Sequence, residues 1–92
     1  MYLRLTRGRF DPTRYEAIMP LVPVVTTALR ALPGVRDVRV GIDRATGHTL
    51  SLTSFETLEY AQFSRDRLGA VLQPLQDLGW EAEAPEIYET TE

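Results

Sequence analysis

The feature that most restricts this chain is the order in which its hydrophobic period changes. Leu3 and Leu5 alternate with Tyr2, Arg4 and Thr6, the period of two of a strand. Ile18, Leu21, Val22, Val25, Leu29 and Leu32 recur instead at spacings of three and four, one stripe of a helix. Val38, Val40 and Ile42 return to two, as do Leu50 and Leu52 beyond the turn Asp43-Arg44-Ala45-Thr46-Gly47. A second helical stripe runs through Leu58, Ala61, Leu68, Val71, Leu72, Leu75 and Leu78, and Ile87 and Tyr88 form a last extended run that begins after Pro85. The order β-α-β-β-α-β in 92 residues predicts one α+β domain over 1–92, a ferredoxin-like four-stranded antiparallel sheet with both helices on one face.

Local signals place the breaks. Asp11-Pro12 starts the first helix, because the carboxylate accepts from first-turn N–H groups and proline there lacks the N–H that would go unpaired. Pro20 and Pro23 each remove a donor and crowd the preceding turn, so this helix is expected to kink near Met19 to Val22. Leu32-Pro33-Gly34 ends it. The second stripe loses phase between Ala61 and Leu68, which predicts a break near Ser64 to Asp66. Gly79 stops that helix, and Trp80 is expected to anchor the reversal into the last strand. Taking Leu3, Leu5, Leu50 and Leu52 as the helix-covered side leaves Tyr2, Arg4, Thr6, Arg39, Gly41, Ser51 and Thr53 on an open face, with Tyr88 or Ile87 from the last strand.

Composition excludes several chemistries. The chain has no cysteine, lysine or asparagine and a single histidine. Disulfides, thiolate nucleophiles, Schiff bases and asparagine oxyanion donors are therefore unavailable. Only carboxylates remain as metal ligands, and Glu81, Glu83, Glu86 and Glu89 are spaced as a solvated edge, so no metal is expected. No glycine-rich phosphate loop occurs, so no tightly held nucleotide cofactor is expected either. Residues 1–46 carry eight arginines against four acids, and residues 47–92 two against nine. Opposed halves of this kind attract within a fold or across a dimer and form no uniform basic face for nucleic acid or membrane. No segment has the length of a membrane span, and the start lacks a signal-peptide pattern, so the expected location is the cytoplasm. An RNA-binding ferredoxin-like domain would need exposed aromatics on both central strands, and the third strand lacks them.

The opening Tyr2-Leu3-Arg4-Leu5, followed by Gly8-Arg9-Phe10-Asp11-Pro12, resembles the dimeric α/β-barrel superfamily, specifically its antibiotic-biosynthesis-monooxygenase-like domains. The helix end Leu29-Arg30-Ala31-Leu32-Pro33-Gly34-Val35 is similar as well, as are Phe55-Glu56 before Thr57-Leu58-Glu59-Tyr60-Ala61 and the closing Pro85-Glu86-Ile87-Tyr88-Glu89. The resemblance implies a homodimer whose two sheets face each other as an eight-stranded barrel, with a small-molecule cavity between sheet and helices in each subunit. It implies either a cofactor-free monooxygenase-like activity on a small aromatic molecule or a non-catalytic binding or structural dimer. Haem-degrading members use an Asn on the first strand, a Trp ending the third and a His on the second helix. This chain has Thr6 or Arg7, Phe55 and no histidine in 56–92 at those places, so that activity is not expected.

The candidate ligand residues are Arg7, Tyr15, Met19, Phe55, Tyr60 and Phe63. Arg7 shares the parity of Leu3 and Leu5 and is expected at the cavity mouth as an anion contact. Tyr15, Met19, Tyr60 and Phe63 fall where the helices are least regular, and Phe55 adjoins them; each also has an ordinary reading as core. The candidate dimer-face residues are Tyr2, Arg4, Arg39, Ser51, Thr53 and Tyr88. Arg4 and Arg39 suit pairing with Glu86 or Glu89, or capture of a ligand oxyanion. His48, on the hairpin, reads as a solvated turn residue, since no partner for acid/base work is visible.

Overall fold

The computed structural model describes residues 1–91. Five strands, β1 (Tyr2–Arg9), β2 (Val35–Ile42), β3 (His48–Phe55), β4 (Glu81–Ala82) and β5 (Glu86–Glu89), form one sheet. Every pairing is antiparallel. The order runs β2-β3-β1, and the far edge of β1 is shared by β5 along Tyr2–Leu5 and by β4 at Gly8 and Arg9. The closing strand is thus one sheet position broken at Pro85, where a proline cannot donate to the ladder. Glu83 N–H donates to Arg7 O at 2.8 Å and holds the gap to the sheet. The short strand β4, before the proline, is an addition to the expected pattern.

The helices are α1 (Tyr15–Ile18), α2 (Val22–Arg30), α3 (Leu58–Ala61) and α4 (Gly69–Asp77). Asp11 caps the entry, accepting from the Thr13 amide at 3.0 Å and the Thr13 hydroxyl at 2.8 Å. A 3₁₀ turn at Met19–Leu21, containing Pro20, separates α1 from α2. Another at Arg65–Leu68, capped by Ser64, separates α3 from α4. Both breaks fall where the proline and phase arguments put them. Ile18, Leu29, Leu68, Leu72 and Leu75 from the helical layer meet Phe10 and Val38 in the core.

The two faces of the sheet are the reverse of the expectation for β1 and β3. Arg4 pairs with Thr53, and Thr53 with Val38, so the three share a face. They are 7%, 2% and 4% exposed: this is the face under the helices. Tyr2, Thr6, Thr49 and Ser51 have the same parity. Leu5 pairs with Leu52, Leu52 with Arg39, Leu3 with Tyr88, and Arg7 with Leu50. These residues face away from the helices. The candidate dimer-face residues Tyr2, Arg4, Ser51 and Thr53 therefore lie on the covered side, whereas Arg39 and Tyr88 are on the open side. The reason is that alternation shows which residues travel together but not which side the helices take.

Candidate functional site

A cavity of about 90 Å³, partly open to solvent, lies between the sheet and the helices α2 and α4. Its walls are aliphatic side chains of the helices, such as Val22, Val25, Leu72 and Leu75. Its floor is a row of hydroxyls from the two central strands, Thr6, Thr49, Ser51 and Thr53. Among the described residues, the side-chain hydrogen bonds engage Thr49 alone of these four.

Trp80 closes one end. Its indole N–H donates to Thr49 Oγ1 at 3.1 Å, and the ring crosses β1 directly over Gly8. A Cβ at position 8 would stand 2.7 Å from the indole nitrogen and 2.8 Å from Glu81 O, so only glycine admits this crossing.

Arg4, four residues away along β1, holds the other end. Its Nη1 donates to Ala61 O at 3.0 Å and to Phe63 O at 2.6 Å. Ala61 is the last residue of α3, and carbonyls at a helix end have no partner within the helix. The guanidinium lies 3.9 Å from the centroid of the Phe63 ring, within range of a cation–π contact. Arg65, also at the cavity wall, donates from Nη2 to Glu83 O at 2.8 Å. No ion pair among the described residues involves Arg4 or Arg65; the four that occur are Arg7–Glu86, Arg36–Glu56, Arg39–Asp37 and Arg44–Glu16. Burial, with the nearby Arg65 charge adding to it, holds the Arg4 guanidinium below its usual pKa.

The structure brings together a different set of residues from the one read along the chain. Of the six ligand candidates only Phe63 lines the cavity. Phe55 is fully buried behind it, with ring centroids 5.8 Å apart. Tyr60 packs on Gly34, whose missing side chain makes room for the ring, and is 43% exposed. The Tyr15 ring carries the Arg44 guanidinium at 4.3 Å, and Met19 is half-buried in its 3₁₀ turn outside the cavity lining. Arg7 is on the open face, 3.4 Å from Glu86, rather than at the cavity wall. Arg39 bonds Asp37 at 3.1 Å, so neither Arg4 nor Arg39 pairs with Glu86 or Glu89. Tyr88 donates to Glu86 at 2.7 Å, and this bond to a carboxylate, then its charge, raises the phenol pKa.

Arg65 and Trp80 are cavity residues that no ligand reading of the sequence named, and Arg4, placed there on the dimer face with oxyanion capture as its alternative, joins them at the cavity wall. A usable signal was present: Arg4 shares the parity of a run of small hydroxyls, Thr6, Ser51 and Thr53, and a floor of small side chains leaves space above it. His48 is exposed and lies with Arg7, Arg9, Glu81 and Glu83 along a separate polar groove of about 500 Å³. No cluster of three or more His, Asp or Glu placed to hold a metal occurs among the described residues. No helix among them is long and apolar enough to cross a membrane.

No protein-family model matches the chain, and no curated protein sequence does. Solved structures do match over its whole length. A candidate antibiotic biosynthesis monooxygenase from Nitrosomonas europaea superposes with a TM-score of 0.79 at 12% identity, covering 100% of both chains. HapK from Hahella chejuensis gives 0.76 at 15% identity, covering 98% of this chain and 92% of that one. SnoaB, a cofactor-independent oxygenase from Streptomyces nogalater, gives 0.64 at 11% identity, covering 99% and 93%. At such identities the likeness is one of fold. The chain has the ferredoxin-like α+β fold of the antibiotic biosynthesis monooxygenase-like proteins.

Proposed function

We propose that the chain works as a dimeric α/β-barrel protein that holds a small aromatic molecule in the cavity under its helices and oxidises it without a cofactor. The observation that carries this reading is the cavity itself: apolar walls, a hydroxyl floor and a cation at one end, in a fold shared with a cofactor-independent oxygenase. In such chemistry the substrate supplies the electrons. An activated CH₂ and O₂ become C=O and water, and the protein's task is to exclude water and stabilise the carbanion that meets oxygen. Arg4 is placed for the second part; the helices and Trp80 serve the first.

The dimer half of the proposal rests on the open face. Leu3, Leu5, Leu50 and Leu52 cluster there with Tyr88, which is 53% exposed. An apolar patch across two central strands is costly to leave in water and fits the same face of a second copy. The arginines and acids at its border, Arg7, Arg39, Asp37 and Glu86, give both signs for pairing across a two-fold axis. The exposed aromatics that RNA stacking requires are missing from this face of β1 and β3.

A second reading, a binder without catalysis, is favoured by one observation. Among the described residues, Arg4 and Arg65 are the only ionisable side chains in the cavity lining, with no His, Asp, Glu or Tyr there to take a proton. Oxygen uptake with a panel of mono- and bicyclic phenols and cyclic ketones separates the two. Turnover that disappears in Arg4→Gln supports the oxygenase; saturable binding of the same compounds with no oxygen consumed assigns the binder.

A further inference from the structure

Arg4 is buried, charged and without a carboxylate. A guanidinium keeps its proton under nearly all conditions, so its burial costs solvation that only partners can offset. Two carbonyls and an aromatic face offset part of it, but all the hydrogen bonds run through Nη1. Among the described residues, no buried side-chain nitrogen or oxygen is left without a partner. The Nε and Nη2 donors, which make no bond within the described residues, therefore keep some accessible surface, and Arg4 lines the cavity. Nε–H and Nη2–H are the parallel pair that meets a carboxylate with two bonds. Arg65 brings a second positive charge to the same wall, near enough to disfavour the charge on Arg4. Two like charges facing one small cavity, neither in an ion pair among the described residues, form an arrangement completed by an anion.

We infer that the Arg4–Arg65 end of the cavity is an oxyanion site, and that the ligand is a small apolar acid. Its oxyanion, a carboxylate or a phenolate-type oxygen, lies on Nε and Nη2 of Arg4, and its apolar body lies between α2 and α4. This deepens the proposed function, since both use the same cavity, but it concerns charge selection and needs no turnover. Size narrows the class further. About 90 Å³ is less than the ~150 Å³ cavity that takes up benzene, so a single ring already requires the walls to yield. The 3₁₀ turn Arg65–Leu68, which follows Phe63 and Ser64 and carries Arg65, is a non-α segment at the cavity wall.

Calorimetric titration with charged and neutral probes of matched shape tests this: benzoate against benzamide, and 4-nitrophenolate against nitrobenzene. The expected result is at least tenfold tighter binding of one or both anions, with that preference abolished in Arg4→Gln and reduced severalfold in Arg65→Gln. Whichever anion shows the larger preference identifies the type of oxyanion. Arg65 is less buried and bonds only a loop carbonyl, so its variant gives an answer even where Arg4→Gln fails to fold. Equal affinity for anion and neutral partner, or a preference untouched by both substitutions, overturns the inference and leaves the cavity reading intact. Failure of all four probes to bind overturns both.

Discussion

The two faces of this sheet are built from nearly the same strands yet have opposite chemistry. The face under the helices has the hydroxyls of Thr6, Ser51 and Thr53 and the Arg4 guanidinium; the other face has Leu3, Leu5 and Leu52, with Leu50 in the same register also bordering the cavity. In a monomer that seeks only to hide apolar surface the assignment would be reversed. The difference teaches that the helices of this fold cover a cavity with a polar floor as well as a core, and leave the leucines of the other face outside that layer. Small polar floor residues keep the space above them open, while leucines would fill it.

Phe55→Ala should have the largest effect, because this ring is fully buried behind Phe63 on the covered face. A loss of about 3–5 kcal/mol is expected, which urea denaturation will read directly; a loss below ~1 kcal/mol would show that the covered face is loosely packed. On the open face, Leu52→Asp should leave the monomer's secondary structure unchanged by circular dichroism. It should raise the dimer dissociation constant ~100-fold, about 2.8 kcal/mol, as measured by sedimentation; a wild-type chain that already sediments as a 10.4 kDa monomer breaks the comparison.

Two arginines sharpen it further. Arg4→Met strips the partner from two carbonyls and should cost about 2 kcal/mol, whereas Arg39→Ala, on the open face and bonded only to exposed Asp37, should cost less than ~0.5 kcal/mol. Equal costs would mean that the burial of Arg4 contributes nothing.

The smallest effect concerns pH. Asp43 accepts from the Ala45 and Thr46 amides at 2.9 and 3.3 Å, and these bonds, the Ala45 amide first, lower its pKa from 3.8. A depressed carboxyl contributes stability that is present above its unfolded pKa and lost as pH falls through the folded one. Asp43→Asn should therefore flatten the decline in stability below pH 3.8 by removing, at pH 7, the component that the wild-type chain loses only in acid. Tyr88 has the opposite sign: its raised pKa gives stability that is complete below its ordinary value of 10.0 and lost as pH rises through the folded one. Tyr88→Phe should remove that alkaline component.

Element order, the kink at Pro20 and the break near Ser64 were legible along the chain because they depend on local chemistry. A proline without an N–H, a side chain that caps a turn and a hydrophobic stripe out of phase act over a few residues whatever surrounds them. The covering of the sheet was not legible. Reflecting a strand through its own plane leaves its alternation unchanged, and Leu3 with Leu5 on one side against Arg4 with Thr6 on the other reads equally well either way. Nor does a sequence contain the meeting of Arg4 with the carbonyls of Ala61 and Phe63, 57 and 59 residues further along. That contact exists only because β1 pairs with β3 and the chain leaving β3 turns back over Arg4. The sequence by itself determined the parts and their breaks, which are short-range; the tertiary structure alone decided which face is inside and which cation is buried, because burial is a property of what lies opposite.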